Sequence, residues 1–248
     1  PYQKDVLLNL VTCALVIAGG IGFPVIFELP LKHFSWKRLS MHTRVVLSTT
    51  FALLLFGTLL LKLTENISWL GAFFYSVSAR TAGFSTYNLG DFSTAGLMVV
   101  SGLMFIGASP ASTGGGIKTT TFFVLLSGIY SAATNHSERA FHNAIPKDAF
   151  RKASVISILA AFLVMTASYL MLIFDPQLSL RDVLFEMISA FSTSGLSTGI
   201  TPQLSAPSRI LSILMMYIGR LGPLTVASLW HFTIGERVRC PEGTIAIG

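Results

Sequence analysis

Two short strings in this chain carry the residue types needed to hold a bare cation. Thr81, Ala82, Gly83, Phe84, Ser85 and Thr86 recur 112 residues later, without insertion or deletion, as Thr193, Ser194, Gly195, Leu196, Ser197 and Thr198. The glycine in each string frees φ, so that successive carbonyls can turn toward one axis, and the flanking hydroxyls add further oxygens. Rings of such oxygens can replace the hydration shell of a cation. A second candidate lies between the strings: Gly107 to Lys118 reads GASPASTGGGIK, with Pro110 and the run Gly114, Gly115, Gly116. A third is Arg220, a lone cation inside an apolar stretch. An unpaired arginine in the middle of a membrane helix costs about 2.5–3.5 kcal/mol, so Arg220 requires a partner.

Other chemistry is excluded by the same residues. GGGIKTT imitates a nucleotide-binding P-loop, but Ile117 stands where a glycine must precede the lysine, and no strand leads into it. The string Gly107, Ala108, Ser109 suggests an intramembrane serine protease, yet Ser109 would need a positioned base and no histidine lies mid-membrane. His33, His42, His136, His142 and His231 lie in or beside the connections, with no metal-binding spacing. The chain is therefore expected not to be an enzyme.

The elements that position the strings follow from hydropathy. The chain is 52% hydrophobic and only 11% charged, too apolar to cover itself as a soluble domain. Its net charge of +6 comes from cations in short connections rather than an aromatic-interleaved patch, which argues for a lipid bilayer and against nucleic acid. Val6–Phe27, Val45–Leu63, Ala153–Phe174 and Ile210–Phe232 are candidate spans, and Ala95–Tyr130 is a long apolar stretch broken by the glycine-rich loop. Ile67–Ala79 and Leu180–Phe191, each ending just before a string, are too short to cross and are expected to be re-entrant half-helices. Their negative C-terminal ends would point at the strings and favour a cation.

Lys32, Lys37, Arg38 and Arg44, then Arg139, Lys147, Arg151 and Lys152, then Arg237 and Arg239 mark one side of the membrane. Glu65, Asp91, Asp175 and Asp182, with fewer cations (Lys62, Arg181, Arg209), mark the other. The positive-inside rule makes the first side cytoplasmic, so the half-helices enter from outside. Cys13 falls in a span and Cys240 in a basic tail, so both are expected to be reduced. The chain opens at Pro1 with no initiator Met and no signal peptide, as a fragment would. Gly19, Gly20, Ile21, Gly22, Phe23 and Pro24 echo Gly219, Arg220, Leu221, Gly222 and Pro223, so the first span reads as the closing helix of an earlier unit.

The expected fold is an all-α membrane protein built of repeated membrane-helix, pore-helix, membrane-helix units around a channel-like pore. Residues 1–28 form the closing helix of a preceding unit, 29–135 one complete unit with an intramembrane gate loop at 107–121, and 136–248 the next unit with a cytoplasmic tail. The strings with their half-helices, GASPASTGGGIK, and GRLGPLT at 219–225 resemble the Trk/Ktr/HKT superfamily of K⁺ uptake proteins, and within it the KtrB type of bacterial Ktr systems. The TrkH type is the near alternative.

This resemblance implies four units around one filter, of which the chain holds the third and fourth and the last helix of the second. It maps Thr81, Ala82, Gly83, Phe84, Thr193, Ser194, Gly195 and Leu196 onto the K⁺-binding filter, with Leu196 departing from the aromatic at Phe84. It makes Gly107, Gly114, Gly115, Gly116, Lys118 and Arg220 a gate beneath the filter. Arg80 is expected to point behind the filter, with Glu186, Asp91 or Asp182 as partner. K⁺, alone or coupled to Na⁺, is the implied cargo, with no covalent cofactor. The implied assembly is a homodimer on a cytosolic nucleotide-binding KtrA ring in the bacterial inner membrane.

Overall fold

The structure is a computed structural model that describes Gln3, residues 5–134, 139–141, 143–223 and Thr225. Nine α-helices carry the described part: α1 (Val6–Ile21), α2 (Phe23–Leu31), α3 (Met41–Thr64), α4 (Trp69–Ser78), α5 (Thr94–Phe105), α6 (Thr119–Thr134), α7 (Lys147–Phe174), α8 (Leu180–Ser192) and α9 (Ala206–Leu221). A two-residue hairpin, Arg139–Ala140 with Asn143–Ala144, lies between α6 and α7. Serine starts most of these helices. Ser40, Ser68, Ser93 and Ser179 each accept the backbone N–H three residues on, satisfying one of the donors that a helix leaves free at its first turn.

Among the described residues, α3 and the segment Asp148–Phe174 of α7 are long and apolar enough to cross a membrane. They correspond to the expected spans at Val45–Leu63 and Ala153–Phe174. Their outer faces are lipid-like: Phe51, Leu63, Phe162, Met165 and Tyr169 are all exposed. The half-helices are short and buried, α4 against α1 and α3, and α8 among α5, α7 and α9. The expected break in Ala95–Tyr130 separates α5 from α6, with Ile106 and Ile117 bridging across the loop mouth.

Two spans differ from expectation. Val6–Phe27 is not one straight helix: α1 and α2 meet at Gly22 with a bend of 96°. Gly22 has φ 93°, and a Cβ there would lie 2.4 Å from the Pro110 carbonyl oxygen, so the turn requires glycine both for conformation and for space. Ile210–Phe232 begins earlier, at Ala206, and α9 ends at Leu221, because Gly222 takes φ 93° and ψ 136°. Gly22 has φ 93° and ψ 145°, so the sequence echo between the two helix ends is also a shared backbone turn. Residues 226–232 of that expected span, with His231, Arg237, Arg239 and Cys240, lie outside the described residues, as do His136 and His142.

The two units follow the sequence repeat. Ser93 and Ser205, 112 positions apart, precede α5 and α9. One core joins Leu61, Tyr75, Phe92, Val100 and Met104 with Phe185 and Leu196 of the other unit; a second holds Val164, Met171, Val183, Met187, Phe191 and Met215. The first core crosses between units, which fixes α4 and α8 relative to each other. That in turn sets the strings at their ends.

Candidate functional site

A left-handed threonine follows each half-helix: Thr193 caps α8 directly, whereas Thr81 lies three residues beyond the end of α4. Thr81 has φ 81° and Thr193 has φ 54°, a conformation in which a β-branched residue is strained by about 1–3 kcal/mol. At the second copy the end is a Schellman turn: Thr193 N–H donates to Ala190 O and Ser194 N–H to Ser189 O, both at 3.0 Å. The first copy closes differently: Ala82 N–H donates to Ser78 O at 3.0 Å, and Gly83 N–H to the same oxygen at 3.4 Å, one residue out of the repeat register. Gly83 and Gly195 then take φ 75° and 85°. Positive φ at alternate residues swings the carbonyls of both strings out of the helical direction.

The strings face each other closely. A Cβ on Gly83 would lie 2.3 Å from the Ser194 carbonyl oxygen, and one on Gly195 would lie 3.9 Å from Gly83 Cα. Ala82 and Gly83 are half-buried, Ser194 is buried and Gly195 exposed. The departure at Leu196 has a physical reason: Leu196 is buried in the first core, whereas Phe84 is 56% exposed.

The glycine-rich loop lies directly against the two threonines. Gly115 N–H donates to Thr193 Oγ1 at 3.1 Å. A Cβ on Gly114 would lie 2.4 Å from Thr81 Oγ1, and one on Gly115 2.7 Å from Thr193 Oγ1. Only glycines allow the loop this close. On its other side the loop is tied to α1, through Ser109 N–H to Gly20 O at 3.0 Å and Thr113 N–H to Gly19 O at 3.4 Å. It also accepts Phe23 N–H at Ala111 O, 3.1 Å. Gly116, at φ 72°, lets the chain turn back to α6.

Three cations converge on carbonyls of this loop. Arg80 Nη2 donates to Gly107 O at 3.3 Å, Lys118 Nζ to Gly114 O at 2.6 Å, and Arg220 Nη1 to Thr113 O. The structure thus brings Arg220, Lys118 and the three glycines together under the strings. Arg80 is buried, but its partner is a loop carbonyl and not a carboxylate, and its Nε has no partner among the described residues. Glu186 accepts instead from Thr201 Oγ1 at 2.5 Å, while Asp91 accepts from Asn88 and Asp182 from Ser179 and Arg181. Arg181–Asp182 is the only ion pair among the described residues.

Ser109 is fully buried, and its hydroxyl accepts from Thr119 Oγ1 at 3.1 Å. It has neither the exposure nor the base that a nucleophile needs. No cluster of metal-ligating side chains occurs among the described residues, and Cys13 is free and buried.

The sequence reading missed the braces behind the strings. Tyr75 Oη donates to Tyr87 O at 2.5 Å and accepts Tyr87 N–H at 2.9 Å, and Ser78 Oγ donates to Phe84 O at 2.5 Å. It also missed a tie made in both units at the acidic end. Glu65 accepts the N–H and hydroxyl of Ser93 at 3.0 and 2.6 Å, and Asp175 accepts those of Ser205 at 3.1 and 2.9 Å. The serines recur at the repeat spacing; the acids do not, so the repeat alone signals only half of each pair.

Comparison with known proteins is consistent with this arrangement. Residues 1–232 match the family model for TrkH, described as a cation transport protein. The chain is 35% identical over 264 residues to a Ktr system potassium uptake protein B from Vibrio alginolyticus, covering 100% of this chain and 57% of that protein. It is 34% identical over 260 residues to the protein of the same name from Bacillus subtilis, covering 100% and 58%. It is 34% identical to the potassium/sodium uptake protein NtpJ of Enterococcus hirae, covering 90% of this chain and 53% of that protein. The chain therefore spans a little over half the length of these relatives. The crystal structure of the potassium transporter TrkH from Vibrio parahaemolyticus superposes with a TM-score of 0.75 at 17% identity, over 93% of this chain and 53% of that one, a likeness of fold. Strings, half-helices and family match agree, and the chain belongs to the TrkH cation transport protein family.

Proposed function

We propose that this chain is part of the ion-translocating membrane subunit of a K⁺ uptake system, in which Thr81–Phe84 and Thr193–Leu196 form two quarters of a carbonyl filter and the 107–121 loop gates it from below. The observation that carries the reading is the close apposition of the two strings, Gly83 against the Ser194 carbonyl, with Gly114 and Gly115 against the two threonines. Non-helical backbone at membrane depth is stable only where protein buries it or where it lines a wet path. Dehydrated K⁺ would be held by neutral carbonyls and hydroxyls. Arg220 and Lys118 would set a positive barrier on the exit side, held in place by Thr113 O and Gly114 O.

The same reading assigns residues 1–28 to the close of a second unit, 29–135 to a third and 136–248 to a fourth. It makes the basic side cytoplasmic and the protein a multi-pass subunit of the bacterial inner membrane. The names of the relatives support a multi-component Ktr-type system, for which we propose a homodimer on a nucleotide-binding KtrA ring, and K⁺ cargo moved alone or coupled to Na⁺. The test is ⁸⁶Rb⁺ uptake into vesicles carrying the full-length protein. Uptake that saturates with Rb⁺ and is displaced by K⁺ is expected; correctly inserted protein with no uptake would overturn the reading.

A further inference from the structure

A carboxylate stands behind the second string with one oxygen that makes no hydrogen bond among the described residues. Glu186, on α8, is 8% exposed. Its Oε1 accepts from Thr201 Oγ1 at 2.5 Å, while Oε2 is buried without a hydrogen-bond partner among the described residues. Glu186 lines a cavity of about 260 Å³ together with Gly195, Ser197, Thr201, Arg209 and Met216, on the α9 side of the string. A water takes up about 30 Å³ of liquid volume, so the space holds several waters or a partly hydrated ion. Ser197 Oγ lies 2.8 Å from Thr201 Oγ1, so three oxygen-bearing side chains converge on one wall.

A buried, unpartnered carboxylate oxygen is costly unless a proton or a cation satisfies it. The charges facing the cavity decide what kind of cation fits. Asp182, one turn earlier on α8, is engaged by Arg181 at 3.4 Å, and among the described residues that line the cavity Glu186 is the one acid. Ca²⁺ takes roughly six to eight oxygen ligands and Mg²⁺ a near-ideal octahedron, whereas one carboxylate with two hydroxyls and water matches a single positive charge. Arg209 also lines the cavity, but its guanidinium is held at Pro202 O at 3.1 Å and is exposed, so an ion would sit on the Glu186 side. A charged carboxylate is a stronger-field ligand than the neutral carbonyls of the strings and favours the smaller alkali ion.

We propose that Glu186, with the hydroxyls of Ser197 and Thr201, holds a Na⁺ ion behind the second string, distinct from the K⁺ path and positioned to stiffen the string when filled. The site rests on the transport reading and gives Na⁺ a place to act on it. The first unit has no counterpart: there Phe74 occupies the position equivalent to Glu186, and Tyr75 braces Tyr87 directly. Protein oxygen and hydrogen atoms do in one unit what an ion does in the other.

The experiment uses the full-length protein, as wild type, Glu186→Gln, Glu186→Asp and Thr201→Val, in K⁺-free detergent and in vesicles. Equilibrium ²²Na⁺ binding is expected to fall by one ion per chain in Glu186→Gln and to weaken several-fold in Thr201→Val, with Glu186→Asp between. In vesicles the half-saturating Na⁺ for ⁸⁶Rb⁺ uptake rises about tenfold in Glu186→Gln, while that for Rb⁺ stays within about twofold. Unchanged ²²Na⁺ binding in both Glu186→Gln and Thr201→Val overturns the site. So does a joint shift of the Na⁺ and Rb⁺ constants, which would make Glu186 a brace only. Absent Rb⁺ uptake by wild type would refute the transport reading instead, a separate outcome.

Discussion

The bond from Gly115 N–H to Thr193 Oγ1, 3.1 Å long, is the direct polar link between loop and string, and its removal has a calculable effect. Thr193→Ala deletes the acceptor and leaves the N–H of buried Gly115 without a partner. An orphaned buried donor costs about 1–3 kcal/mol. That cost falls on the loop-engaged state, because only there is the N–H shut away from water. A loop released into a wet cavity regains a partner, so the equilibrium shifts toward release by roughly 5- to 150-fold. The bonds from Arg220 to Thr113 O and from Lys118 to Gly114 O remain, and they place the expected effect at the lower end, about fivefold.

Thr193→Ser supplies the control. It keeps the hydroxyl while removing the β-branch that is strained at φ 54°, so it preserves the link and relaxes the turn. Initial ⁸⁶Rb⁺ uptake into proteoliposomes, normalised to inserted full-length protein, should rise in Thr193→Ala and stay near wild type in Thr193→Ser. If the two variants behave alike, or if Thr193→Ala remains within about twofold of wild type, the hydroxyl does not hold the loop and the argument fails.

Other perturbations read different parts of the structure. Gly219→Ala places a Cβ 1.7 Å from the Phe191 carbonyl oxygen and must push α9 off α8, costing about 1–3 kcal/mol or more in thermal unfolding of the purified protein. Gly102→Ala, with nothing within 4 Å, should be neutral or stabilising in the same assay. Arg220→Ala removes a cation from the loop and should conduct several-fold faster; unchanged or slower flux would argue against a barrier there. The Asp175 carboxyl, just past the end of α7, is held below the usual carboxylate range by the hydroxyl of Ser208 and by Ser205, against a smaller opposing effect of burial. Its folded pKa is depressed, so its tie to Ser205 is fully present above about pH 4 and lost as pH falls through the lower folded value. Melting temperature should therefore drop below about pH 4 by more in wild type than in Asp175→Asn.

Much of the fold was legible because lipid makes simple demands. Apolar length marked α3 and α7, shortness marked α4 and α8, and the glycine run marked the break between α5 and α6. The bend at Gly22 was less visible, since Val6–Phe27 is apolar throughout and only the meeting with Pro110, remote in sequence, makes the turn necessary. At the candidate site, residue identity indicated which groups gather, and the loop glycines, Lys118 and Arg220 do meet. Pairing was harder to read. Arg80 was matched with acids by charge, yet its neighbour is the Gly107 carbonyl, a group every residue possesses and no side-chain pattern reveals. The Tyr75 brace leaves no mark in the sequence, because the partner of its hydroxyl is likewise backbone, at Tyr87.

The sharp corner at Gly22 has a mechanical consequence. α2 leaves the corner nearly at right angles to α1, and its first residue, Phe23, grips the loop at Ala111 while Gly19 and Gly20, just before the corner, grip Thr113 and Ser109. The loop is thus moored on both arms of an elbow. At the far arm, Glu28 holds Ser40 through its N–H and hydroxyl at 2.7 and 2.6 Å, which links the elbow to the base of α3. A torque applied near Ser40 would enter α2 at Glu28, travel back to Phe23 and arrive at Ala111 as a pull on the loop, with Gly22 as the pivot.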